Sequence, residues 1–233
     1  MRRTLLFLAL TAGAATSVGA AERRYSVTDF DRIEVRGPYQ VTLSTGRNSS
    51  ARADGALAAL DRVSIDVQGR TLRIRANPSA WGGNPDQRSG PVSIRLSTRD
   101  LRAATVIGSG TLAIDRVAGL RVDLGLSGSG GLSVGAVDAD NLAIGLLGAG
   151  NMTLGGKAKQ FRATVQGSGD LAAAGLVVDD ADIHADGPGL IEIGAARSAK
   201  VEAAGAGDVT VGGRPACTVV NRGSGNVRCG EGR

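Results

Sequence analysis

The stretch from Gly108 to Gly135, GSGTLAIDRVAGLRVDLGLSGSGGLSVG, contains one full period of a repeat. It begins with a Gly-x-Gly step at Gly108, and the same step returns at Gly128. Further steps begin at Gly148, Gly167, Gly187, Gly205 and Gly223, so the successive spacings are 20, 20, 19, 20, 18 and 18 residues. A period of this length is typical of a solenoid, in which each repeat stacks on its neighbours.

Apolar residues alternate on both sides of these corners. Leu124 and Leu126 precede the corner at Gly128, and Leu132 and Val134 follow it. An alternation of period two is typical of a strand with one buried face. We therefore expect four inward positions in each coil. A second bend is expected seven residues after most corners, where another glycine stands: Gly135, Gly155, Gly194, Gly212 and Gly230.

Glycine at the corners has a steric explanation. A sharp bend requires a positive φ or a close approach of two backbones, and stacked corners leave no room for Cβ atoms. The pattern therefore predicts an all-β, β-helix-like solenoid of 18–20-residue coils with Gly-x-Gly corners. One coil cannot bury its apolar face alone, so we expect isolated coils not to fold.

The chain before the regular repeats is less regular but related. The Gly37-Pro38-Tyr39 segment is flanked on both sides by alternating apolar residues, which predicts a degenerate first rung. Residues 77–90 lack periodicity and are rich in Gly and Pro, which predicts a loop. We expect residues 21–98 to form an N-terminal β region that continues, as one domain, into a regular solenoid over residues 99–230.

Residues 1–20 have the features of an export signal. Arg2 and Arg3 form its charged start, and an apolar stretch and small residues before Ala21 follow. The rest of the chain contains no run of about 20 apolar residues, the length that a membrane span requires. We therefore expect a periplasmic, extracellular or cell-surface protein whose mature chain has no membrane span.

Composition narrows the choice of partners. Aromatic residues make up only 3% of the 233 residues, whereas there are 36 glycines, so the core must consist of small aliphatic side chains. The net charge of +5 falls to +3 once Arg2 and Arg3 are removed. The remaining basic residues are scattered among aspartates. Nucleic-acid binding would need a clustered basic stripe with aromatic residues, so we expect no nucleic-acid partner.

Two segments and the set of corners together resemble a known bacterial family. They are FDRIEVRGPYQV over residues 30–41, GRTLRI over residues 69–74, and the Gly-Ser-Gly corners. In these features the chain is similar to the putative auto-transporter adhesins with a head GIN domain, over about residues 29–229. The resemblance implies an exported protein with a right-handed parallel β-helix-like fold. The family's function is unknown, and it offers no catalytic residues or cofactor to carry over.

Cys217 and Cys229 lie six residues before and six residues after the corner at Gly223. In an oxidising compartment this spacing predicts a disulfide across the last coil, which would protect the open end of the solenoid. The alternative is a pair of small buried thiols. Both cysteines are expected on the inward register.

No strong metal site is expected. His184 is the only histidine, and there is no second cysteine pair. The outward position of His184 indicates a surface histidine. A weak calcium site is the one candidate, because four carboxylates crowd one bend. These are Asp179, Asp180, Asp182 and Asp186.

Trp81 lies in the 77–90 loop together with Arg88, and an indole on a loop is a common platform for sugars or protein partners. We expect Trp81 and Arg88 to be candidate binding residues. The alternative is that Trp81 covers one end of the solenoid and shields its edge.

The leading functional hypothesis is an exported, non-enzymatic, adhesin-like protein that binds a surface glycan or an envelope protein through an outer face or the Trp81 loop. A purely structural role within the envelope is a further hypothesis. The alternative is a carbohydrate-active β-helix enzyme that acts on a polysaccharide with paired acidic residues. Scattered carboxylates and short coils without long loops argue against the enzyme. The sequence leaves the ligand and the oligomeric state open.

Overall fold

The computed structural model describes residues 21–77 and 91–230, which form sixteen β-strands and one short helix. The elements are β1 Ala21–Tyr25, β2 Arg32–Arg36, β3 Gln40–Ser44, β4 Ser50–Gly55, α1 Leu57–Asp61, β5 Val63–Gln68, β6 Thr71–Ala76, β7 Ser93–Ser97, β8 Ala103–Gly108, β9 Thr111–Gly128, β10 Gly131–Gly148, β11 Asn151–Gln166, β12 Leu171–Asp186, β13 Ile191–Ala203, β14 Val209–Gly213, β15 Ala216–Asn221 and β16 Val227–Cys229. Within these two ranges, no helix has the length and apolar character needed to cross a membrane.

The long strands β9 to β13 stack in parallel as successive coils, which confirms the predicted all-β solenoid. Leu132 of β10, for example, lies between Leu112 of β9 and Met152 of β11. Each long strand bends and therefore crosses two faces of the solenoid. The pre-corner face comprises β2, β8, the second halves of β9 to β13, and β15. The post-corner face comprises β3, the first halves of β9 to β13, β14 and β16.

The first coil is interrupted in sequence but complete in space. β2 pairs in parallel with β8, and β3 pairs in parallel with β9. The Gly37 N–H donates a hydrogen bond to the carbonyl oxygen of Ile107 at 3.1 Å. The Gly37 turn therefore stacks on the next corner as a first rung. Residues 45–102 form an insertion between β3 and β8, which are the two halves of this coil.

The inserted residues cover the N-terminal end of the solenoid. β6 pairs with β2, and β7 pairs with β3, so these strands add one more parallel layer. Antiparallel strands then end the stack: β5 pairs with β6, β4 with β7, and β1 with β4. Leu60 of α1 and Phe30 are buried in the same apolar core. The N-terminal end is thus closed by a change of strand direction and a short helix.

The interior holds more apolar positions than the alternation predicted. In the coil that begins at Thr111, six apolar side chains are at most 3% exposed: Leu112, Ile114, Val117, Val122, Leu124 and Leu126. Four of them follow the predicted pattern. Val117 and Val122 instead flank a third, short side of the coil, which connects its post-corner face to its pre-corner face. Neighbouring strands shift register at the bend before this side, between Val134 and Val137 in β10. The bend breaks the period of two, so the sequence pattern did not reveal this part of the core.

Both predicted reasons for corner glycines apply, at different residues. At Gly167 the backbone φ is +111°, a left-handed conformation that favours glycine. At Gly189 an added Cβ would lie 2.1 Å from the carbonyl oxygen of Gly169, the equivalent residue of the previous coil. The corners therefore stack so closely that a backbone oxygen occupies the position of a side chain.

Cys217 and Cys229 form the predicted disulfide, with their Cα atoms 6.1 Å apart. The bond joins β15 on the pre-corner face to β16 on the post-corner face. Cys217 has the inward register, beside the buried Ala199, but it is exposed because no further described coil covers it. Every residue of β15 is exposed as well. The disulfide thus holds together the C-terminal end of the stack.

We expect Gly189→Ala to destabilise the protein by roughly 1–3 kcal/mol, because the new methyl group overlaps the Gly169 carbonyl. Gly145→Ala is the matched control, since an added Cβ there meets no atom within 4 Å and its φ is not left-handed. Urea unfolding measures both. Equal stability of the two variants would contradict the stacked-corner explanation.

Replacing both cysteines, in Cys217→Ser/Cys229→Ser, removes a cross-link that spans 12 residues. The chain-entropy cost is about 3 kcal/mol for a loop of this length, and coils of a solenoid are stabilised locally. We expect faster hydrogen exchange in β13 and β15 and unchanged exchange in β9 and β10. Uniform acceleration along the whole chain would contradict a local role.

Candidate functional site

The outward side chains of the pre-corner face are aligned in columns by the parallel register. In the middle column, Asp123 of β9 is followed by residues at the same position in the next three coils: Ala143, Arg162 and Asp182. A second column contains Arg121, Asn141, Gln160 and Asp180. The third contains Gly125, Gly145, Thr164, His184 and Glu202. Residues far apart in sequence therefore meet on this face.

Small side chains create a depression in the middle of the face. Ala143 lies within it, and the space above the neighbouring Gly145 is open, since an added Cβ there would contact no atom within 4 Å. The depression has a volume of about 340 Å³, within the usual range for small-molecule sites. Its polar lining consists of Arg121, Asp123, Asn141, Gln160, Arg162, Asp180 and Asp182.

A second depression, of about 520 Å³, adjoins the first on the side of the N-terminal end. Arg121 and Asp123 line both depressions. The second is completed by Arg32 of β2 and by Asp100 and Arg102, which precede β8. We call the two depressions together the groove. Because it crosses from β2 to β12, the groove runs along the solenoid axis.

Ion pairs hold the carboxylates at the C-terminal end of the groove. The Arg197 Nε–H donates to Asp180 Oδ1 at 3.0 Å, and the Ser198 hydroxyl donates to the same oxygen at 2.7 Å. These hydrogen bonds, first that of Arg197 and then that of Ser198, lower the pKa of Asp180 to about 2. Asp182 lies 3.6 Å from the Arg162 guanidinium. This end of the groove is therefore charged but internally paired.

Arg121, Asp123 and Gln160 also line the groove, but their side chains are not held by internal pairing. In the described part of the chain, none of these three side chains takes part in a hydrogen bond or an ion pair within the protein. On the third side of the coils, in contrast, charges pair with each other, as in Arg116 with Asp138 at 3.2 Å. The groove therefore offers donors and acceptors that the protein does not use for its own stability.

His184 is half-exposed, as expected of a surface histidine, but it has carboxylates on two sides. Its Nε2 lies 3.3 Å from Asp182 Oδ1, and its Nδ1 lies 3.3 Å from Glu202 Oε2. Glu202 belongs to the next coil, so no local motif around His184 marks it. Adding one repeat length, 18 residues, to the histidine position would have identified it.

The predicted binding residues Trp81 and Arg88 lie outside the described residues, so their role stays a prediction. The strands on either side are described. β6 aligns with β2, and β7 aligns with β3, so the chain leaves β6 and enters β7 at the edge where the Gly37 turn joins β2 to β3. The end of β6 and the start of β7 therefore both lie at the corner edge of the solenoid, near its N-terminal end.

The four calcium candidates do not form a single cluster. Asp180 and Asp182 lie in adjacent outward columns and are ion-paired, whereas Asp186 ends β12 and Asp179 precedes this face. Across residues 21–77 and 91–230, no group of three or more His, Cys, Asp and Glu side chains is arranged to hold a metal ion. The calcium site stays a sequence prediction.

Comparison with known proteins gives a family and a fold. The family model described as "Putative auto-transporter adhesin, head GIN domain" matches residues 29–215. None of the curated proteins matches the chain.

Several solved structures are similar over almost their whole length. A putative adhesin from Bacteroides fragilis has a TM-score of 0.83 at 19% identity, covering 91% of this chain and 97% of its own. A putative lipid binding protein from Parabacteroides distasonis has a TM-score of 0.72 at 20% identity, with the same two coverages of 91% and 97%. A putative adhesin from Parabacteroides merdae has a TM-score of 0.65 at 17% identity, with coverages of 91% and 96%. At these identities the likeness shows the fold alone.

The pairing at Asp180 predicts a pH response. Its folded-state pKa of about 2 is below the ordinary value of 3.8, so the Arg197 pair stabilises the fold above that value and the contribution is lost as pH falls toward 2. NMR titration of the carboxyl group should show the low midpoint, and Arg197→Gln should raise it toward 3.8. Lys200→Gln, which removes a partner of Glu202 instead, is the control. An unchanged midpoint in Arg197→Gln would contradict the assignment.

Proposed function

The chain belongs to the family described as putative auto-transporter adhesin, head GIN domain, and from this premise we propose that it is an exported, non-enzymatic, adhesin-like protein. It binds a component of the cell envelope or of a cell surface through the groove of the pre-corner face. The observation that carries the proposal is the set of unpaired polar side chains around the depression at Ala143. Residues 1–20 serve as its export signal.

The chemistry of the groove supports binding rather than turnover. A glycoside hydrolase needs one carboxylic acid whose pKa is raised, so that it stays protonated and acts as the general acid. At the C-terminal end of the groove, hydrogen bonds from Arg197 and Ser198 lower the pKa of Asp180 to about 2, the opposite of what a general acid requires. Such a carboxylate accepts hydrogen bonds from a ligand but does not donate a proton at neutral pH.

The shape of the groove also supports binding of an extended ligand. Its floor is formed by outward positions of a rigid sheet, and its polar side chains come from successive coils at a spacing of about 4.8 Å. A glycan chain presents hydroxyl groups along its length, and Asp123, Asn141 and Gln160 are hydrogen-bonding partners suited to them. The 77–90 segment, with Trp81 and Arg88, supplies a second contact.

The test is binding of purified residues 21–233 to an array of envelope and surface glycans. Ala143→Gln places a long side chain within the depression, so we expect it to weaken binding at least about tenfold, or about 1.4 kcal/mol. Ser133→Gln is the matched control, because it enlarges an exposed side chain of the same strand on the post-corner face. Both variants should unfold at the wild-type temperature.

Trp81→Ala measures the contribution of the loop in the same assay. Loss of binding in Ala143→Gln but not in Ser133→Gln supports the groove. Equal binding by all variants would place the site elsewhere, and release of sugar fragments from a bound glycan would overturn the non-enzymatic assignment.

A further inference from the structure

Three arginines line the N-terminal depression of the groove and come from three successive layers of the pre-corner face. Arg32 begins β2, Arg102 immediately precedes β8, and Arg121 lies in β9. Backbone hydrogen bonds fix their relative positions, because the Arg102 N–H donates to the Asp31 carbonyl at 2.8 Å and the Asp123 N–H donates to the Arg102 carbonyl at 2.9 Å. The three side chains are exposed to the same depression.

None of these three guanidinium groups has a carboxylate oxygen within 4.0 Å in the described part of the chain. Many other arginines are paired, among them Arg70 with Asp31 at 2.9 Å and Arg95 with Asp54 at 2.8 Å. The guanidinium fork matches the geometry of a carboxylate or a phosphate, which it binds through two parallel hydrogen bonds. Three unpaired forks lining one depression therefore point to an anionic group on the ligand.

The acidic residues of the groove decide which kind of anionic ligand fits. Asp100 and Asp123 line the same depression as the arginines, whereas Asp180 and Asp182, at the C-terminal end, are paired with basic side chains. An anionic membrane surface presents a plane of negative charge, which Asp100 and Asp123 would repel. A chain that alternates anionic groups with hydroxyl groups fits instead, since the hydroxyls donate to the aspartates.

We propose that the N-terminal end of the groove binds the carboxylate groups of an acidic polysaccharide, a polymer of the uronic acid type, through Arg32, Arg102 and Arg121. The polymer runs along the solenoid axis, and its hydroxyl groups bond to Asp123, Asn141 and Gln160. Successive strands are about 4.8 Å apart, close to the length of one sugar unit in an extended polysaccharide. This inference rests on the proposed function and names its ligand class.

The experiment compares binding of residues 21–233 to polygalacturonate and to dextran, an uncharged polysaccharide, at low and at physiological ionic strength. We expect binding to polygalacturonate and a loss of about tenfold in affinity for each of Arg102→Gln and Arg121→Gln, because each removes charge-assisted hydrogen bonds. Arg228→Gln is the matched control, an exposed arginine of the last coil that is removed from the groove. Unchanged thermal unfolding verifies that the variants fold.

The outcomes separate this inference from the proposed function. Binding to dextran that is lost in Ala143→Gln but unaffected by the arginine variants overturns the acidic ligand and leaves the groove as the site. Equal weakening by Arg228→Gln overturns the arginine assignment in favour of general charge attraction. Binding to phosphatidylglycerol vesicles in place of polygalacturonate overturns the polysaccharide in favour of a lipid headgroup. No binding to either polysaccharide or to vesicles overturns the acidic ligand, whereas the proposed function is overturned by its own test, the glycan array.

Discussion

The close stacking of corner on corner is the constraint on which this structure depends. A backbone carbonyl oxygen of one coil lies where the Cβ of the next corner would be, for example 2.1 Å away at Gly189. Only glycine satisfies this geometry, and its repetition through the regular coils sets these coils in register. Register then brings aliphatic side chains into inward ladders and polar side chains into outward columns. The core and the candidate site are therefore two results of the same backbone contact.

The outer surface divides into regions with different electrostatic character. On the third side of the coils, neighbouring charges such as Lys159 and Asp140 neutralise each other at 2.7 Å. Surface pairs of this kind contribute little to stability, but they leave the surface with few unused hydrogen-bonding groups. On the pre-corner face, alanine and glycine interrupt the charged columns. No neighbouring side chain among the described residues is therefore long enough to pair with Arg121 or Asp123. A depression and its free polar groups arise together from the same small residues.

Much of the fold follows from the sequence, because its determinants repeat. The spacing of the corners, the alternation beside them and the symmetric cysteines each predict a feature that the structure contains. The third side of the coils was not predictable in this way, since a bend near Val134 shifts the register and hides Val137 from any period-two pattern. The groove was missed for a different reason. Its lining comes from coils about 20 residues apart, and Arg32 reaches it across an insertion, so no local motif marks it.

The interrupted first coil has a consequence for the order in which the protein folds. Within the regular repeats, contacting residues are about one coil apart, so each coil closes only a short loop as it docks on its neighbour. The Gly37 turn, however, packs on a corner that lies 71 residues later in the chain. Closing that long loop costs more entropy than closing one coil, so we expect β2 to dock after the repeats against which it packs. Because β2 carries Arg32, the groove is complete only in a chain whose first coil has closed.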